Sequence, residues 1–208
     1  DRTDELGTLV QIISGKSESR IALIRADSGW GKSSLLLELE GKCPKKINFV
    51  PIDFRGAGVS VSQIFSSAQK WFGREVFEAL NERIEHYSNP ASINFVNNAL
   101  EGRNKVDIAL SVNDDDLRYQ RQSDLTDSFF IDLLHVGETV FAFDNYQTCE
   151  PVVNSWLINY FLPGLRKYHN LRVVIAGHVV PLPTLEWQNL HQEIVLGGIP
   201  LENWIQFA

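Results

Sequence analysis

The stretch Arg25-Ala26-Asp27-Ser28-Gly29-Trp30-Gly31-Lys32-Ser33-Ser34 constrains the chain more than any other. An apolar strand pattern, Ile21-Ala22-Leu23-Ile24, leads into it. Leu35-Leu36-Leu37-Glu38-Leu39-Glu40 continues it as a helix that stops at Gly41. Strand, glycine-rich turn, Gly-Lys-Ser and helix are the parts of a phosphate-binding loop. Glycines at positions 29 and 31 let successive N–H groups turn inward around an anion, at the positive end of the new helix. Lys32 can place an ammonium between terminal phosphates, and the Ser33 hydroxyl is the expected magnesium ligand. The usual pattern begins with glycine where this chain has Ala26, which is tolerable if Ala26 keeps a negative φ. The alternative, a surface turn that contains Gly-Lys-Ser by chance, leaves the flanking strand and helix unexplained.

At 208 residues there is enough chain for one α/β domain with a full core. No apolar run approaches the roughly 20 residues of a membrane-spanning helix, and no signal peptide is visible. The chain begins at Asp1 and ends at Ala208, so it reads as a piece of a longer protein. The two cysteines, Cys43 and Cys149, fit no metal spacing and are expected to stay reduced in a cytoplasm. A formal charge of −7 disfavours sequence-independent nucleic-acid binding.

Along the chain, Leu6, Leu9, Ile12 and Ile13 predict an opening helix, and residues 47–54 a second strand. Pro51 puts that strand at an edge or an irregular point. A helix is expected from near Ser60, interrupted at Gly73 and resuming to about Glu85. Residues 88–123 break the rhythm. Ile93–Val96 and Val106–Val112 alternate as strands about a turn at residues 101–104, which predicts an inserted β-hairpin. Asp114-Asp115-Asp116 reads as a solvated loop, and Arg118 and Arg121 as surface charge. Helix is predicted again over residues 125–136. The run Thr139-Val140-Phe141-Ala142-Phe143-Asp144 then reads as a buried parallel strand tipped by a carboxylate. Ligands bind at the carboxyl ends of such strands. Asp144 is therefore the candidate partner of Ser33 in holding a magnesium ion, a Walker B arrangement, with a helix-capping role as the alternative. The apolar stripe from Val153 to Tyr168 predicts one long helix that Pro163 should kink or end. Two further strands, residues 171–177 and 192–196, follow. His178 lies just beyond the first of them, where a γ-phosphate sensor would be. Residues 199–208 read as the start of a truncated helical region.

These features resemble the AAA+ and STAND ATPases, the latter being signal-transduction ATPases with numerous domains. The resembling pieces are Arg2-x-x-Glu5-Leu6, residues 29–36, Phe141-Ala142-Phe143-Asp144-Asn145-Tyr146, Ala176-Gly177-His178 and Leu196-Gly197-Gly198-Ile199-Pro200-Leu201. The resemblance implies a three-layer α/β P-loop fold of the ASCE type, with parallel strand order 5-1-4-3-2. It also implies ATP or ADP with Mg2+, and a switch joined to effector and regulatory domains of the same chain, in some cases as a homo-oligomer. The implied nucleotide site comprises Arg2, Asp27, Ser28, Gly29, Trp30, Gly31, Lys32, Ser33, Ser34, Asp144 and His178, with Ser33 and Asp144 on the metal. Many members carry an acid one or three places after the Walker B aspartate to orient the attacking water. This chain has Asn145 and Gln147 there, so slow or absent hydrolysis is expected, and glutamate at either place is expected to raise turnover. Glu150 is acidic but further on. Two other readings stay open: an active AAA+-like ATPase acting on DNA, and an interaction domain with a dead nucleotide site.

Overall fold

The computed structural model describes residues 2–56, 59–88 and 114–198. Five strands form one sheet: β1 (Ile21–Arg25), β2 (Asn48–Asp53), β3 (Thr139–Asp144), β4 (Leu171–Gly177) and β5 (His191–Val195). All pairings are parallel and the order is β2-β3-β4-β1-β5. That is the expected order read from the other edge. Pro51 is on β2, which among the described residues pairs only with β3 and so forms an edge, where a missing N–H costs no second ladder.

The two faces of the sheet carry different residues because side chains alternate along each strand. One face presents small or branched groups, among them Ala22, Ile24, Ala142, Val174 and Ala176. Against it pack α1 (Thr3–Ile13), through Leu9, Ile12 and Ile13, and α2 (Lys32–Lys42), through Leu35 and Leu39. The opposite face presents Leu23, Phe141, Phe143, Val173 and Ile175. It is covered by α3 (Val61–Phe72), α4 (Glu78–Ser88), α5 (Asp115–Leu133) and the helical segment after β3. Aromatic rings fill this second layer: Phe65 and Phe129 lie 4.7 Å apart, and Phe141 meets Phe161 edge-on at 5.4 Å. α3 starts where expected, on a capping box between Ser60 and Gln63, and ends at Gly73 with φ 94°.

Two sequence expectations change. The hairpin assigned to residues 88–123 does not extend through its last ten residues. Asp114 caps α5 by accepting the Leu117 N–H at 3.0 Å, and the helix runs from Asp115, not from residue 125. The aspartate run is thus a helix N-terminus, where carboxylates suit the dipole. The two strand candidates of that hairpin, and the predicted helical start at 199–208, lie outside the described residues. α2 also runs through Gly41 to Lys42 instead of stopping at the glycine. The long helix after β3 is broken around Pro163, as its sequence predicts. It runs as α6 (Pro151–Trp156), a π-helical turn (Leu157–Phe161) and a short α7 (Leu162–Gly164). Pro163 has no N–H to offer the preceding turn, and the widened turn before it closes through the Leu162 N–H to the Leu157 carbonyl.

Candidate functional site

Parallel strands put all their carboxyl ends at one edge of the sheet, which gathers Arg25, Asp53, Asp144 and Gly177 at neighbouring positions. The loop after β1 is built there. The Ala26 N–H extends the ladder by donating to the Gly177 carbonyl at 3.1 Å, and the Ala26 methyl packs in the core with 5 % exposure. Asn145 alone among the described non-glycine residues has a positive φ, so Ala26 does not, and alanine fits where the usual pattern has glycine. Gly29 and Gly31 have φ of 78° and 83° with open space where a Cβ would stand, so backbone conformation rather than room requires glycine there. Gly31 precedes α2, whose N-terminus has no side-chain cap. Its first N–H groups therefore face the cavity edge as an anion-binding end.

Lys32 is buried, and its Nζ donates to the carbonyls of Ala26 at 2.7 Å and Asp27 at 2.8 Å. Burial lowers its pKa, while the charges of Asp144 and Asp27 pull the other way. Ser33 Oγ donates to Asp144 Oδ2 at 2.6 Å, across 111 positions of sequence, and Asp144 Oδ1 accepts the Asn145 N–H at 2.7 Å. A hydroxyl and a carboxylate at this distance are hard oxygen donors that fit Mg2+, which takes one or two protein ligands and completes its shell with phosphate and water. Among the described residues no cluster of three or more His, Cys, Asp or Glu could hold a metal on its own.

A cavity of about 300 Å³ opens above the loop, lined on one side by Ser28, Gly29, Gly31, Lys32, Ser33 and Ser34. Its other wall is Arg55, Asn145 and His178. His178 is exposed, and its backbone N–H donates to Gln147 Oε1 at 3.1 Å. The Asp27 carbonyl accepts from Lys32 and the Trp30 carbonyl from Arg2. Arg2 lies outside this cavity wall. Its guanidinium bonds Glu5, the Trp30 carbonyl at 3.2 Å and the Gly197 carbonyl, tying α1, the loop and the segment after β5 together.

Two residues escaped the sequence reading. Asp53 ends β2 in register with Asp144, and Arg55 follows it into the cavity wall. The available signal was an acid at the end of a strand candidate, the same feature that marked Asp144. The Arg55 backbone N–H, Nε and Nη2 all donate to the Asp53 carboxylate, at 2.9 to 3.3 Å. Asn145 Nδ2 also reaches Asp53 Oδ1, at 2.9 Å. Burial would raise the Asp53 carboxyl, but the hydrogen bonds from Arg55 and Asn145 and the Arg55 charge outweigh it and hold the group below its ordinary range. Asn145 itself is buried at φ 57°, and its Oδ1 faces Gln147 Nε2 at 3.4 Å. Asp53, Asn145, Gln147 and the His178 backbone thus form a continuous polar chain under the cavity.

No protein-family model matches this chain, and no curated protein matches it. Solved structures do. A Walker-type ATPase of Pyrococcus abyssi superposes with a TM-score of 0.54 at 15 % identity, over 100 % of this chain and 56 % of its own length. Cdc6p from Pyrobaculum aerophilum gives 0.49 at 15 % identity, over 94 % of this chain and 45 % of its own. The chain spans about half the length of these structures. Sheet order, layers and the likeness to the Pyrococcus protein agree: the fold is that of the three-layer α/β P-loop ATPases.

Proposed function

We propose that this chain is the ATP/ADP-binding switch module of a larger STAND-type signalling protein, and that it hydrolyses ATP slowly or not at all. The observation that carries the reading is the 2.6 Å contact between Ser33 Oγ and Asp144 Oδ2 beside the uncapped start of α2. In this reading the loop N–H groups and Lys32 bind the phosphates of the nucleotide. Lys32 leaves its two carbonyl partners to do so. Ser33 and Asp144 would hold Mg2+, which when bound neutralises phosphate charge. Arg2, Asp27, Ser28, Trp30, Ser34 and His178 complete the nucleotide site. Effector and regulatory domains would belong to the remainder of the longer chain, with assembly of several copies as a further expectation.

Slow hydrolysis follows from the groups beside Asp144. Asn145 and Gln147 cannot take a proton from water, and both amides are engaged in the polar chain.

Calorimetric titration with ADP and ATP, with and without Mg2+, tests the reading. Binding is expected for both, and Ser33→Ala or Asp144→Asn should remove most of the Mg2+ dependence. No heat at millimolar nucleotide would refute it in favour of an interaction domain. Turnover near 1 s⁻¹ or faster, the low end of ordinary enzymes, would refute slow hydrolysis.

A further inference from the structure

Arg55 lines the same cavity as the phosphate loop, and its guanidinium is held by Asp53, a carboxylate outside that lining. The strand order explains its position. From β1 outward the cavity is bordered by His178 after β4, Asn145 after β3, and Arg55 after β2. In the nucleotide-binding reading a third phosphate would lie toward Ser33 and Asp144, and Asn145 and Arg55 line the same cavity as Ser33. The Arg55 side chain is 63 % exposed, and its guanidinium is bonded to Asp53 at 2.9 Å. Asp53 in turn holds Asn145, and through Gln147 the chain of contacts reaches the end of β4.

From this arrangement we infer that Arg55 discriminates triphosphate from diphosphate: a γ-phosphate competes with Asp53 for the guanidinium, and ADP leaves the pair closed. The inference rests on the nucleotide-binding reading above and adds a selectivity mechanism to it. A planar guanidinium suits either partner, because carboxylate and phosphate both accept its paired donors. Transfer to the phosphate removes the strongest contacts on Asp53. That leaves the carboxylate with the Arg55 backbone N–H and Asn145 and loosens the polar chain toward His178. A triphosphate-dependent change is thereby passed from the site to the ends of β3 and β4.

The competition makes two variants move in opposite directions. Arg55→Ala should weaken binding of the β,γ-imido analogue of ATP about tenfold, one charge-assisted contact on an exposed residue, and change ADP binding less than about twofold. Asp53→Asn removes the competing charge but keeps a side chain that can accept from Asn145. It should strengthen binding of the analogue several-fold, again with little effect on ADP. In the double variant Asp53→Asn/Arg55→Ala the gain should vanish. The measurement is calorimetry with Mg2+ on the intact chain, with circular dichroism confirming the fold of each variant. If wild type binds neither nucleotide, the underlying reading fails. If wild type binds both and Arg55→Ala weakens them equally or not at all, discrimination by Arg55 is refuted while the nucleotide site stands. A gain from Asp53→Asn that persists without Arg55 also refutes the competition.

Discussion

Replacing Lys32 with methionine keeps the length of the side chain and removes its charge, which separates binding from folding. In the folded chain the ammonium donates to two carbonyls. Without it, the buried Ala26 carbonyl loses its donor, at a cost of about 1–3 kcal/mol, whereas the Asp27 carbonyl is open enough to regain water. Against this, a group that burial disfavours in its charged form is no longer taken out of water. The net destabilisation should be about 1 kcal/mol, or 2–4 °C in Tm for a domain of this size. Bound phosphate loses far more. Two charge-assisted contacts at about 1.5–3 kcal/mol each, converted at about 1.4 kcal/mol per factor of ten, weaken ADP or ATP binding by roughly 10²–10⁴-fold. Calorimetry gives the affinity and thermal unfolding the stability. If Tm falls by only a few degrees and affinity changes less than about fivefold, Lys32 does not contact phosphate and the site reading collapses. A loss of affinity accompanied by general unfolding would point instead to a structural lysine.

Asp132 is 3 % exposed and accepts the N–H groups of Ala79 and Leu80 at 3.1 and 2.8 Å, capping α4 from a neighbouring helix, so Asp132→Ala should cost about 1–3 kcal/mol in urea unfolding. Burial raises its carboxyl despite those bonds; its contribution is therefore full below the ordinary carboxylate range and is lost as pH rises through the folded pKa, a slope the alanine variant should lack. A Cβ on Gly164 would stand 2.2 Å from Phe130 Cε2, so Gly164→Ala should destabilise by about 1–3 kcal/mol, and an unchanged Tm would contradict the close packing of that helix. Both cysteines are free, and burial pushes the Cys149 thiol up to about 12, so alkylation at pH 8 should be slow in the native protein and fast for two thiols in denaturant; a single reactive thiol after unfolding would count against it. Gln147→Glu preserves the acceptor for the His178 N–H and adds an acid, so it should raise ATP turnover, whereas Asn145→Glu should not, because it sets a second carboxylate against Asp53 at the 2.9 Å contact.

That last distinction shows where the sequence stopped being informative. The phosphate loop and the Asp144 strand were legible because each is local: an apolar run fixes the strand, glycines permit the turn, and the next residues follow by connectivity. The edge position of β2 was readable from Pro51, since proline cannot serve two ladders. The first ten residues of α5 were not readable. Residues 116–120 are exposed, so they carry no apolar periodicity, and the aspartates that cap the helix look like a loop. The π-helical turn before Pro163 was visible only as a disturbance, because the proline forbids the regular bond without saying how the chain will go round it.

What the sequence determined by itself was the chemistry available: a lysine and a serine after a glycine turn, and an aspartate at the end of a buried strand. The tertiary structure decided which of those groups meet. Ser33 and Asp144 are neighbours only because β1 and β3 flank β4 in one parallel sheet. Asp53 and Arg55 enter the site only because β2 pairs with β3 in the register that sets Asp53 beside Asp144. Local pattern specifies an element through its own periodicity. It carries no record of the partner strand or of the register, and these are set by which apolar faces can be buried together.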